Sequence, residues 1–355
     1  MSQEKGITRH QGKTAVAVLQ RYSYVIAFFA LFILYYFMNQ NLSWTGVTNI
    51  FRHSGVIGIL SLGVGLVIVT ANFDLSIGSI LAFSASVAIV VFNMTDSILL
   101  LFLTSVLAGG LCGLFNGFLV GKAKLPAFIV TLATMLILRS IAQYYCQVLP
   151  DFYTGGGNNL YKLASTPAKN TLFSFGNSKF LSLPMVGIAL AVVSAVVVYV
   201  TTSTKFGKKL YAVGSNAKAA RLSGVNTDGI VVTVFTLSGL FAGLAAFLWI
   251  SMQGSVDPST TGKGNEMYAI AAVVLGGLSM SGGKGKFLGI FFGALSYTVI
   301  DKIIASAKVD SLINDAIKGT ILLIAILAQG SGLNLKGVRG KFVKPDKRPE
   351  AAVSK

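Results

Sequence analysis

Long runs of apolar and small residues alternate along the chain with short polar connections. The runs lie near 22–38, 47–70, 75–93, 98–121, 126–149, 183–202, 230–252, 266–280, 287–305 and 313–329. Roughly 15 to 25 residues is the length that carries a helix across about 30 Å of hydrocarbon. Lipid offers the backbone no hydrogen-bond partners, so each run must satisfy its own as a helix. The pattern therefore predicts an all-α polytopic membrane protein of about ten transmembrane or partly re-entrant helices. The run at 266–280 is short and carries Gly276 and Gly277, which fits a broken or re-entrant helix.

Two connections exceed a simple turn. The one at about 150–182 holds "TGGGNN" with several Ser, Thr and Pro and reads as an irregular external loop. The other, about 203–229, is basic: "TKFGKKLYAVGSNAKAARLSGVNTDG". In it Asn216 suits the N-cap of a short helix, "AKAARLSG", that ends at Gly224. A helix so short is stable only when docked, which implies a cytoplasmic partner.

Composition strengthens the membrane reading: 54% of the 355 residues are hydrophobic and 12% charged, with a mean hydropathy of +0.72. Twenty-one polar and basic residues precede the first run and no small-residue cleavage site follows it, so it is expected to be a span and not a removable signal. The net charge of +17 reports orientation and not nucleic acid, because the basic residues fall between apolar runs. Lys5, Arg9, Lys13, Arg21, Lys122, Lys124, Lys205, Lys208, Lys209, Lys218, Arg221, Lys284, Lys286 and the seven basic residues from Lys336 onward make 20 of the 29 Lys and Arg on one side. That side is assigned to the cytoplasm. The expected organisation is a cytoplasmic N-terminal segment 1–21, a transmembrane domain 22–329 and a basic cytoplasmic tail 330–355. Cys112 and Cys146 lie inside apolar runs and read as packing residues.

Little in the chain supports an enzyme. The stretch "GITRHQGKT" has one residue too many between Gly6 and Gly12 for a phosphate-binding loop, and His10 and His53 are the only histidines. The sequence implies no metal site and no cofactor of its own. What stands out is ionisable side chains within or beside apolar runs: Asp74, Arg139, Glu266 and Asp301. Intramembrane charge is costly unless it faces a polar cavity or a partner. Asp301, with Lys302 after it, reads as interfacial. Glu266 reads either as a charge on the helix dipole or as part of a pathway. For Arg139 a structural ion pair and a lining role both stand. Asp74 lies in "TANFDLSIGS", where it suits the N-cap of the next helix, while Asn72, Ser76 and Ser79 make the break polar enough to border a passage. "VIVTANFDLSIGSILA" can also be laid over "VVLGGLSMSGGKGKFLG" at an offset of 207 residues, a repeat of interrupted runs that points to a transport pathway.

Four stretches carry a resemblance: "GLVIVTANFDLSIGSILAFSA", "KLPAFIVTLATMLILRSIA", "FGKKLYAVGSNAKAARLSGVNTDGI" and "GNEMYAIAAVVLGGLSMSGGKGKFLGIFFGALSYTVI". In this order, over about residues 47 to 329, they resemble the permease subunits of bacterial ABC importers for ribose and other simple sugars. Asn72 and Phe73 stand where that family usually has Gly and Ile. The resemblance implies a site in the bacterial cytoplasmic (inner) membrane and a partner ATP-binding subunit with two nucleotide-binding halves, which would hold ATP and magnesium. It also implies an external sugar-binding protein and a second permease chain. A coupling helix is implied too: Ala219, Ala220 and Gly224 match its pattern, with Gly214, Ser215 and Asn216 ahead and Lys218 and Arg221 placed to meet acidic surface. A competing reading is a proton-coupled secondary transporter in which Asp74 or Glu266 titrates. It leaves the basic cytoplasmic loop unexplained.

Overall fold

A computed structural model describes residues 22–39, 42–156, 159–307, 310 and 313–331. The expected segment 1–21 and residues 332–355 of the expected tail lie outside them. The helices are α1 (Ser23–Met38), α2 (Trp44–Val69), α3 (Ile77–Thr95), α4 (Ile98–Gly121), α5 (Ala127–Val148), α6 (Asp151–Thr154), α7 (Pro167–Asn177), α8 (Met185–Ser203), α9 (Lys205–Ser215), α10 (Ala217–Leu222), α11 (Thr227–Gln253), α12 (Asn265–Leu275), α13 (Phe287–Ser306) and α14 (Asn314–Ser331).

Seven of the described helices, α2, α3, α4, α5, α8, α11 and α13, are long and apolar enough to cross a membrane. The polytopic helical reading holds, while ten spans are not reached by this measure. α12 shows why: its 11 residues rise only about 16 Å, half the hydrocarbon thickness.

α2 is the central helix, and every residue from Ser54 to Val69 is buried. Its small residues let neighbours approach from several sides, with Gly55 against Val186 of α8, Gly63 against Ser238 of α11 and Gly65 against Ile290 of α13. The most extensive pairing joins α4 and α11. A methyl group on Gly109 would stand 2.3 Å from the Gly239 carbonyl oxygen, and one on Gly239 would stand 2.2 Å from that of Gly109. In lipid, where apolar burial drives little association, such close backbone packing supplies the attraction. Large apolar side chains such as Leu111, Ile129 and Tyr199 stay exposed on α4, α5 and α8, a surface suited to lipid.

The connection read as an irregular loop is more ordered than its composition suggested. It holds α6 and α7, with Thr166 accepting the Lys169 N–H at the start of α7. Strand β1 (Tyr161–Lys162) pairs antiparallel with β4 (Ser255–Val256), and β2 (Lys179–Phe180) with β3 (Leu183–Pro184). Asn93 of α3 fastens it by donating to the carbonyls of Tyr153 and Lys162 and accepting the Ala164 N–H. Polar side chains bonding to backbone replaced the regular periodicity that would have marked these elements.

Candidate functional site

α2 ends in a Schellman turn: the Asn72 N–H donates to the Val67 carbonyl and the Ala71 N–H to that of Ile68. The chain then runs without helix to Ile77, and Asp74 is fully buried in that stretch. One carboxylate oxygen accepts the Ser76 N–H at 3.0 Å and the Ser76 hydroxyl at 2.6 Å; the other accepts the Ser238 hydroxyl of α11 at 2.9 Å. The network continues outward, with Asn116 of α4 donating to Ser76 Oγ at 2.9 Å and accepting from Thr134 of α5 at 2.7 Å. Asp74 thus closes a turn and ties four helices. It is not the N-cap, a position held by Ser76, because its bonds go to Ser76 and not to amides inside α3.

One turn further on, α3 meets the loop between α11 and α12. A methyl group at Gly78 would stand 2.1 Å from the Gly262 carbonyl oxygen and 2.7 Å from Glu266 Oε2. Glu266 is half-buried in the first turn of α12, where the helix dipole favours a carboxylate. Arg139 lies twelve residues along α5, about 18 Å from its start. It makes no salt bridge among the described residues; Nη1 donates to the carbonyls of Pro258, Ser259 and Thr261 at 2.9, 3.2 and 3.2 Å and so holds that loop. Burial pushes the nearby Asp257 carboxyl up, but the Ser259 N–H at 2.7 Å and the Thr260 hydroxyl at 2.8 Å outweigh it and hold it below the usual range.

Of the expected pathway residues, Asp74, Ser76 and Ser79 are enclosed within the chain, while Asn72, Arg139 and Glu266 are half-buried. Asn72 turns its amide back onto Thr70. The described chain brings Asp74 and Ser76 together, and Arg139, Glu266 and the 257–264 loop into a second group beside them. Asp301 is engaged by Lys318 of α14 at 2.9 Å and not by its neighbour Lys302.

The expected coupling segment is α9 followed by α10. Asn216 caps α10, accepting the Ala219 N–H at 3.0 Å. A Schellman turn ends it: the Val225 N–H reaches the Ala220 carbonyl, the Gly224 N–H that of Arg221, and Gly224 takes φ +80°. The segment's residues divide by direction. Gly214 packs so closely on the end of α2 that a methyl group there would stand 1.7 Å from the Val69 carbonyl oxygen. That same oxygen accepts the Gly283 N–H at 2.9 Å, and Ser215 donates to the Gly283 carbonyl at 3.3 Å. Tyr211 adds a bond to the Gly285 carbonyl at 2.8 Å. α9 therefore meets the last residue of α2, where the first break begins, and the second break, 276–286, at one point.

Ala220 is buried against the chain itself, so it does not present a seat to a partner. Arg221 is likewise engaged: it pairs with Asp228 of α11 at 2.7 Å, and Lys124 pairs with the same carboxylate. The Arg221 side chain stays 60% exposed while it bonds this carboxylate seven residues on. Lys218, Ala219 and Gly224 remain exposed.

Residues 46–326 match the family model described as "Branched-chain amino acid transport system / permease component". The chain belongs to this permease family. Among curated proteins it is similar to the ribose import permease protein RbsC of Haemophilus influenzae, at 35% identity over 79% of this chain and 84% of the relative. The RbsC of Bacillus subtilis is 33% identical over 87% of this chain and 92% of the relative. The autoinducer 2 import system permease protein LsrC of Escherichia coli strain HS is 33% identical over 86% and 85%. No solved structure matches the chain. The permease is a multi-pass protein of the bacterial cytoplasmic membrane; ATP hydrolysis belongs to a separate subunit of such systems.

Several residues of the permease's buried polar network are neutral and carry no charge that would mark them in the sequence. Asn116 was legible as a lone amide inside "GGLCGLFNGFLVG", the signal of a buried polar partner. Ser238 and Thr134 carry no such signal, because hydroxyls in membrane helices mostly bond back to their own helix. Leu222 of α10 is 91% exposed beside Lys218, a large apolar side chain on a helix that sits outside the bundle.

Proposed function

We propose that the permease forms half of the membrane pathway of an ATP-driven importer for a monosaccharide or similar small polar solute, handed over by an external binding protein. A second permease chain completes the pathway. A partner with two nucleotide-binding halves, holding ATP and magnesium, docks on α10. In this reading both termini and α9–α10 face the cytoplasm, and α1, α12 and α14 join the seven long helices as the remaining, partly re-entrant segments of the domain 22–329. The ribose and autoinducer 2 relatives favour a sugar-like solute over the amino acid in the family's description.

The observation that carries the reading is the junction at Val69, where α9 meets the end of α2 and the second break. Closure of the ATP-binding halves would displace α10; Gly214 and Ser215 pass that displacement to the two breaks, and Arg221 passes it through Asp228 to α11. The pathway then switches its opening between the two sides. Asp74 and Ser76 pin the first break, with Ser79 behind it. Asn72, Arg139 and Glu266 border the pathway, and no step requires Asp74 to titrate. Gly214 and Ala220 form the inner face of the coupling element, Ser215, Asn216 and Arg221 brace it from exposed positions, and Lys218, Ala219 and Gly224 form its outer face with Leu222.

Leu222→Asp tests this. A charge there should leave the permease folded and abundant in the membrane while abolishing ATP-driven uptake and detaching the ATP-binding subunit in pull-down from detergent. Uptake and co-purification at the wild-type level would reject α10 as the docking element.

A further inference from the structure

Where the end of α8 runs beside the start of α13, the two helices leave an open groove of about 490 Å³. Ala191 and Ala195, one turn apart on α8, are too small to fill it, and Leu288 and Phe291 of α13 form the other wall. The lining follows α8 from Ala191 to Ser203, about 18 Å of helix, close to half of the roughly 30 Å hydrocarbon layer. Most of that length is apolar. At one end Tyr199, Thr202 and Ser203, all exposed, bring three hydroxyls together.

Positive charge collects at the same end. Lys205 follows Ser203 by two residues and opens α9, whose Gly207, Leu210 and Val213 are buried while Lys205, Lys208 and Lys209 are exposed. Lys284 and Lys286, exposed as well, stand just before Leu288 of the other wall; Lys286 lies 5.5 Å from the centroid of the Tyr22 ring, which offers it no counter-charge. Among the described residues none of these five lysines pairs with a carboxylate. The sequence has no Asp or Glu from 152 to 227 or from 267 to 300. An apolar trough one leaflet deep, ending in hydroxyls and unpaired lysines, suits a molecule with a hydrocarbon chain and an anionic head.

We propose that this groove holds one phospholipid with an anionic headgroup, its acyl chain along α8 and its phosphate at the Lys205 end. A second copy of the chain fits the charge less well, because a symmetric membrane dimer through this face would bring the two lysine clusters toward each other. A zwitterionic lipid would fill the trough equally but leave the lysines without a net partner. Basic residues beside anionic lipid each strengthen binding about fivefold. The inference needs only that the chain sits in a membrane, so it stands or falls apart from the importer reading.

The test is native mass spectrometry of the full-length permease in detergent, titrated with phosphatidylglycerol or with phosphatidylcholine of the same acyl chains. One phosphatidylglycerol should be retained in preference to phosphatidylcholine. Lys205→Gln with Lys208→Gln should weaken phosphatidylglycerol binding about fivefold per lysine and leave phosphatidylcholine unchanged. Lys162→Gln with Lys179→Gln removes the same charge from exposed positions in the 150–182 connection and should change neither. Ala195→Phe, or Ala191→Phe should the first fail to fold, fills the trough from an exposed position of α8 and should abolish retention of both lipids. Equal binding of the two lipids, or phosphatidylglycerol binding that the two lysine pairs lower alike, overturns the anionic headgroup. Retention unmoved by both groove variants overturns the location. An Ala195→Cys disulfide between two copies, formed in membranes with Cys112 and Cys146 replaced by serine, would give the groove to a second chain instead.

Discussion

The two interruptions of the helical bundle end their helices alike and continue differently. α2 and α12 both stop in Schellman turns, with Ala71 at φ +60° in the left-handed position of the first and Gly277 at φ +79° in that of the second. After the first, the chain runs to α3 under side-chain control, through Asp74, Ser76, Asn116 and Ser238. After the second it folds back on itself mainly through backbone, the Ser279 N–H meeting the Lys284 carbonyl at 3.1 Å and the Ser279 hydroxyl accepting the Ser281 N–H at 3.3 Å, with Gly282, Gly283 and Gly285 all at positive φ. One break is pinned by directional bonds to neighbouring helices. The other is shaped by residues without side chains and is joined to α2 and α9 through backbone groups. The difference separates two failure modes: losing an acceptor should damage the first, and adding bulk should damage the second and its contact with α9.

The largest expected effect comes from bulk at the shared contact. Gly214→Val places side-chain atoms where the Val69 carbonyl lies and should cost about 3 kcal/mol, the upper range for overpacking, with loss of uptake. Thermal unfolding of the purified permease and its membrane abundance report it; a wild-type unfolding temperature would mean that α9 is not seated on α2.

Asp74→Ala comes next. It strands the Ser76 and Ser238 donors and should cost about 2–3 kcal/mol, whereas Asp74→Asn keeps an acceptor for Ser76 and should cost less than about 1 kcal/mol. Equal losses in the two variants would show that negative charge, and not acceptor geometry, holds the first break.

The smallest effect is a gain. Ala71→Gly relieves a left-handed alanine and should stabilise the permease by up to about 1 kcal/mol, net of the flexibility that glycine adds to the unfolded chain. Destabilisation there would mean that the Ala71 methyl group packs usefully on the Gly282 side of the contact.

Much of this architecture is legible in the residues. Apolar runs fix the long helices because lipid removes other ways to satisfy the backbone. Asn216 and Gly224 announce α10, since caps and left-handed turns are local chemistry. Reading Asp74 as an N-cap failed because an acidic residue just before a helix can close a turn instead; the choice depends on Ser238, 164 residues away. Arg221 looked free for the same reason, its partner Asp228 being set by how α10 folds onto α11.

The most direct test places the permease in proteoliposomes with and without its ATP-binding subunit and external binding protein, and follows D-ribose accumulation for wild type and Asp74→Asn. The account predicts accumulation only with the partners and ATP, indifferent to an imposed proton gradient, and retained in Asp74→Asn. Accumulation by the permease alone, driven by a proton gradient and abolished in Asp74→Asn, would contradict it.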